Sequence, residues 1–322
     1  VKVSDKKVQV GIYMNKLHDA KHIGSYKKGM NKLPLQKRVQ ILHMLVEGSS
    51  MRSIFRVVGV SINTVTKLLV QSGEACAAYH DATVRDVKAA RVQCDEIWSF
   101  CYAKQKNVKT AKATPEEAGD VWTWTALDAD SKLIVSYLVG GRDSEYAIEF
   151  MDDVAKRLAK QVQMTTDGHK AYLEAVEGAF GGDFDCAQLV KMYGAVPDAM
   201  KGRYSPAECT GTRKCRVEGG PAIEDVSTSY VERQNLTLRM SVRRFTRLTN
   251  GFSKKIDNHI HMLSLNFVHC NFCRIHKSLK VTPAIAAGVS DTLHDLEWIV
   301  GLIDARAPKP GPHGPYKKIE AA

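Results

Sequence analysis

No stretch of the 322-residue chain approaches the roughly 18 consecutive apolar residues that a membrane-spanning helix needs, so no membrane role is expected. The first residues lack the apolar core of a secretion signal, which argues against export. Cysteine is sparse: eight residues spread thinly, none before Cys76. Such spacing does not make a disulfide scaffold and fits a reduced, cytoplasmic chain. Internal repeats are absent too.

What remains is an ordinary globular composition, 44% hydrophobic and 25% charged, long enough for about two domains. The formal charge is +11, and it is unevenly placed. Residues 1–38 carry ten Lys/Arg against two Asp, and residues 233–280 carry ten against one. The rest of the chain is therefore net acidic. Local positive charge of this kind binds phosphate, although a charge run alone is more often a solvated face.

Residues 1–29 are polar and lysine-rich without periodicity, and read as a flexible basic arm. Met30 is a candidate true start. From Pro34 the pattern becomes helical: Val39, Ile41, Leu42, Leu45 and Val46, ended by Gly48. Ser50 is placed to cap a second helix bearing Ile54, Val57 and Val58, and Gly59 follows it. Ser61 is placed to cap a third, with Val65, Leu68 and Leu69 inward. Two short helices joined through a glycine turn form a helix-turn-helix signature over residues 30–75. Asn63, Thr64 and Lys67 then face outward at the start of the third helix, where a recognition helix meets DNA. A small helical bundle without DNA contact fits the spacing equally well.

Residues 76–90 read as a linker, within a polar stretch that begins at 72. Beyond it the period changes. Arg91–Phe100, Val121–Asp128 and Lys132–Val139 are short and rich in β-branched and aromatic residues. Asp128-Ala-Asp-Ser131 predicts a tight turn between the second and third. Ser144–Ala159 has helical spacing, and Val162–Thr166 reads as a further strand. The fold class is α/β, a mixed sheet with flanking helices over 91–290, preceded by the all-α segment. Residues 201–221 read as an insertion loop. Residues 291–322 form a C-terminal extension whose end, from Ala307, reads as disordered.

Three carboxylates occupy unusual places. Asp95 lies inside an apolar strand, Asp167 ends a strand, and Glu232 opens a helix, separated by 72 and 65 residues. Each alone has a plain structural explanation: a buried ion pair, a turn before Gly168, a first-turn acid favoured by the helix dipole. Together they suit a hard cation such as Mg²⁺ or Mn²⁺, which takes a few carboxylates plus water and phosphate oxygens. Two such ions activate a nucleophile and stabilise the leaving oxygen of a phosphodiester.

These residues lie in Asp95-Glu-Ile-Trp-Ser-Phe100, Thr165-Thr-Asp-Gly-His-Lys-Ala-Tyr172 and Tyr230-Val-Glu-Arg-Gln-Asn235. With Arg243-Arg-Phe245, Thr249-Asn-Gly-Phe-Ser-Lys-Lys255 and Asn271-Phe-Cys-Arg-Ile-His276, they resemble the bacterial insertion-sequence-1 transposases of the acidic-triad (DDE) superfamily. The resemblance runs from about Met30 to Val289. It implies a ribonuclease-H-like catalytic domain in which Asp95 bridges two metal ions while Asp167 and Glu232 each complete one site. It implies cleavage at transposon ends, then strand transfer into target DNA, by a homo-oligomer in the cytoplasm at the nucleoid. Some members carry an N-terminal cysteine zinc module, and this chain has no cysteine there to form one.

If Ser229 opens a helix, Glu232, Asn235, Leu236, Arg239 and Arg243 share one face. Asn235, Arg239, Arg243, Arg244, Lys254 and Lys255 are accordingly expected to contact DNA, and His169 is a candidate near the attacking water or a phosphate. Phe252, Ile256, Ile260, Leu263 and Phe267 read as core. Cys270 and Cys273, in the same apolar run, read as buried small hydrophobes rather than zinc ligands. Trp98, Trp122 and Trp124 read as core, with one of them able to stack on a displaced base. Two other functions compete: a helix-turn-helix transcriptional regulator, and a nuclease of the same fold that cleaves without joining.

Overall fold

A computed structural model describes residues 32–159, 162–181, 184–194, 209–246 and 249–307. The expected basic arm, the candidate start at Met30, residues 201–208 of the expected loop and the tail beyond Ala307 lie outside the described residues. Three helices come first: α1 (Leu35–Val46), α2 (Met51–Val58) and α3 (Ile62–Thr83). The Ser50 side chain accepts from the Ser53 amide and the Ser61 side chain from the Thr64 amide, so both serines cap as the spacing predicts. Gly59 ends α2 in the left-handed region (φ 70°), and the chain turns through 113° into α3 over three residues. Ile54, Val58, Val65, Leu68 and Leu69 are buried between these helices. Val57 is 63% exposed, on the outer face of α2.

The expected linker is corrected by α3. Residues 76–83 are the last two turns of this 22-residue helix, and Gly73, Ala75, Cys76, Ala77 and His80 are buried. Small residues (Gly73, Ala75, Ala77) make the stretch look polar by sequence while serving close helix packing. A Cβ on Gly73 would stand 2.3 Å from His261 Cβ and 2.5 Å from its Cα, so α3 and the helix bearing His261 touch backbone to backbone. Gly73→Ala is expected to lower stability by about 1–3 kcal/mol through overpacking. Chemical denaturation measures it, and an unchanged midpoint would mean that the two helices separate without cost.

One sheet forms the centre, in the order β3-β2-β1-β4-β5-β6. Its strands are β1 (Arg91–Cys101), β2 (Gly119–Asp128), β3 (Ile134–Gly140), β4 (Gln163–Asp167), β5 (Asp185–Tyr193) and β6 (Cys209–Glu218). β1, β2 and β3 form an antiparallel meander, β4 runs parallel to β1, β5 parallel to β4, and β6 antiparallel to β5. The carboxylate of Asp128 accepts from the amides of Asp130 and Ser131, which builds the expected turn between β2 and β3. β5 and β6 were not expected. Residues 209–218, read as loop, pair with β5, and their glycine and charge content reflects an exposed edge strand rather than an unpaired one.

The sheet around β1, β2 and β3 is covered on both faces. On one lie α4 (Ser144–Arg157) and α5 (Ala171–Phe180), with Phe150 and Tyr172 against Trp124. On the other lie α6 (Ser229–Ser241) and α7 (Ile256–Val268), with Phe267 against Tyr137. α3 packs along α7, and α8 (Leu296–Arg306) packs on α1 and α3, with Arg38 donating twice to Asp304 at 2.7 and 3.1 Å. Of the three tryptophans expected in the core only Trp124 is fully buried. Trp98 and Trp122, opposite each other in β1 and β2, are half-buried because the sheet extends there past its helical cover.

Candidate metal centre

The geometry follows from where β4 stops. The parallel pairing of β1 with β4 ends at Cys94–Thr166, while β1 continues for seven more residues alongside β2. Asp95 and Glu96 therefore stand beyond the last β1–β4 pair, and Asp167 ends β4 beside them. Consecutive residues of a strand face opposite sides of a sheet. Asp95 points toward α6, and Glu96 lies opposite Trp124 on the α4–α5 side. With no neighbouring strand at this edge, carboxylates from both faces reach round to Asp167. One oxygen from each of Asp95, Glu96 and Asp167 lies within 4.8 Å of the others.

Helix α6 is held in register with this strand. Gln93 Oε1 accepts from the amides of Tyr230 (2.9 Å) and Val231 (3.2 Å), which satisfies first-turn donors. One turn on, Asn235 Nδ2 donates to Asp95 Oδ2 at 2.8 Å. Asn235, expected to contact DNA, is thus buried against the acidic site. Asp167 Oδ1 accepts from the His169 amide at 2.9 Å, which fixes the turn after β4.

Glu232 is only partly gathered in. Lys191 of β5 donates to its Oε1 at 2.6 Å and Thr228 Oγ1 donates to the same oxygen, and it stands outside the set of converging oxygens. Its charge is still felt at Asp95. The sequence reading missed Glu96. The residue was in view beside Asp95, but the period of a strand assigns it to the other face, and only the end of β4 lets it return.

The cluster is electrostatically strained. Burial, then the charge of Asp167, raise the Asp95 carboxyl to about 7, against the pull of the Glu96 amide and Asn235. Burial and Asp167 raise Glu96 to about 8, against the pull of Arg142. Neither Glu96 oxygen has a hydrogen-bond partner. Oxygen-only donors, mutual repulsion and buried acceptors without donors suit a hard divalent cation. The His169 imidazole is lowered by burial and by Arg142, and its Nδ1 accepts from the Ala171 amide.

No family model matches this chain, and no curated protein is similar to it in sequence. Among solved structures it is similar to a piggyBac transposase in a synaptic complex with hairpin DNA. That likeness has 8% identity and a TM-score of 0.42, covering 93% of this chain and 79% of that one. It is too low to bear on chemistry.

The other residues expected to contact DNA lie on several separate elements. Arg239 is half-buried on α6. Arg243, expected on the same helix, lies beyond its end in a short turn, Arg243–Phe245, after Val242. Burial lowers the Arg244 guanidinium to about 10, and the Nε atoms of both arginines are buried without a hydrogen-bond partner. Lys254 and Lys255 are exposed before α7. On α3, Asn63 and Lys67 are exposed and Thr64 is half-buried. Cys270 is buried, bonded to Asn266, in a π-helical turn after α7. No single helix among the described residues is long and apolar enough to cross a membrane.

Proposed function

We propose that this chain is a metal-dependent DNA transposase with a ribonuclease-H-like catalytic domain, related to the insertion-sequence-1 transposases. The observation that carries the reading is the meeting of Asp95 and Asp167, 72 residues apart, at the open edge between β1 and β4. The strand order, with the chain leaving β1 on one side and returning as β4 on the other, puts these carboxylates where open α/β sheets bind ligands.

In this reading Asp95 and Asp167 hold Mg²⁺ or Mn²⁺, with Glu232 as the third ligand that the family resemblance implies and Glu96 as a further carboxylate in reach. Two ions would activate the attacking oxygen and stabilise the leaving one. The protein's own part is positional. Asn235 orients Asp95, the Gln93 contact keeps α6 in place, and Lys191 holds Glu232 near the rim. Arg239, Arg243, Lys254 and Lys255 would track the DNA backbone, whereas Arg244, whose guanidinium is lowered by burial, is withdrawn from that track. The sharp α2–α3 turn supports a helix-turn-helix in which Asn63, Thr64 and Lys67 read element ends. Two ends brought together make a homo-oligomer the working form.

The test is direct. The protein is incubated with labelled element-end DNA and Mg²⁺, with and without chelator. Cleavage at the end, lost with the chelator and followed by joining to target DNA, is the expected result. Binding without cleavage in Mg²⁺ or Mn²⁺ would favour a transcriptional regulator. Cleavage with no joining of a pre-cut end would favour a nuclease.

A further inference from the structure

Arg142 follows β3, in the turn before α4. Its guanidinium carbon lies 4.6 Å from the centre of the Trp122 ring, a cation–π contact. From that perch one nitrogen, Nη2, stands 3.7 Å from Glu96 Oε2 and also 3.7 Å from Asp167 Oδ2. These distances are too long for hydrogen bonds, so the attraction is Coulombic. The Glu96 side chain is 1% exposed and its oxygens have no hydrogen-bond partner, whereas Arg142 is 36% exposed. A cation that faces two carboxylates without hydrogen-bonding either, and that has an open path to water, is cheap to move.

We propose that Arg142 is a positioning residue that stands in for the divalent cation. It offsets the charge of Asp167, and of Glu96 when that carboxyl is ionised, in the metal-free protein, and it competes with the incoming metal for both. This rests on the metal-site reading above. Two like-signed cations cannot share oxygens at this spacing in a partly buried site without strong repulsion. Metal entry therefore requires the guanidinium to retreat over Trp122 toward solvent.

The experiment titrates Mn²⁺ into the full-length, metal-free protein and reads free Mn²⁺ by electron paramagnetic resonance, without DNA. Arg142→Gln is expected to bind Mn²⁺ about tenfold more tightly than wild type, and Arg142→Lys, which keeps the charge, to stay near wild type. Equal or weaker binding by Arg142→Gln, with an unchanged circular-dichroism melt, overturns the proposal while leaving the metal site standing. Equal tightening by the Lys variant also overturns it, because charge would then not be the cause. Asp95→Asn is measured beside them. If it binds as wild type does, or if no variant binds Mn²⁺, the metal reading fails and this inference with it.

Discussion

Asp95→Asn is expected to reduce metal-dependent cleavage at least about a thousandfold, roughly 4 kcal/mol of transition-state stabilisation, with the fold intact. The substitution is nearly isosteric, and its carbonyl can still accept from Asn235, so α6 stays in register. What disappears is one negative charge at the point where the influences of Asp167 and Glu232 meet. Matched end-cleavage assays with Mg²⁺ measure it, and wild-type rates from the variant would remove Asp95 from the mechanism. The same assay separates the two candidates for a third carboxylate. A loss of similar size in Glu232→Gln, but not in Glu96→Gln, would mean that Lys191 yields Glu232 to the metal. The reverse would assign the role to Glu96, which already lies among the converging oxygens.

The sequence made visible whatever depends on local rules. Ser50 and Ser61 as caps, the Asp128 turn, and the strands on either side of Asp95 follow from capping, turn chemistry and a period of two. Asp95 and Asp167 were legible because an acid in or at the end of an apolar strand is costly without a partner. The features that escaped depend on where one element stops relative to another. Glu96 joins Asp95 only because β4 is short. Arg142 reaches the cluster only because its turn folds over Trp122, and nothing in its surrounding sequence announces that. Residues 76–83 looked like a linker because packing against α7 selects small side chains there, and small side chains carry little apolar signal. β6 escaped because an exposed edge strand has no apolar face to alternate.

Glu96→Gln is expected to stabilise the metal-free protein at alkaline pH, although it removes a carboxylate from the proposed active centre. Burial and Asp167 raise Glu96 from its ordinary 4.5 to about 8 in the folded chain. A raised carboxyl favours the folded state while it is protonated. That contribution is complete below the ordinary value and is lost as pH climbs through about 8, where the folded protein must carry a buried anion beside Asp95 and Asp167. Wild type without metal should therefore melt lower at pH 8.5 than at pH 6. The variant, uncharged throughout, should lose much less over that interval. The difference between them at pH 8.5 is on the order of 3 kcal/mol, or a melting shift on the order of 5 °C. The Gln side chain keeps the volume beside Trp124, and its amide can donate toward the remaining carboxylates, so no cavity offsets the gain. Thermal melts at the two pH values, each with and without Mg²⁺, make the comparison. Metal should restore wild type at pH 8.5 and help the variant less, because a ligand that binds only the folded state stabilises it in proportion to its affinity. Parallel melting of the two proteins at both pH values would show that Glu96 is not strained in the folded chain. The electrostatic case for a cation at this edge would then be lost.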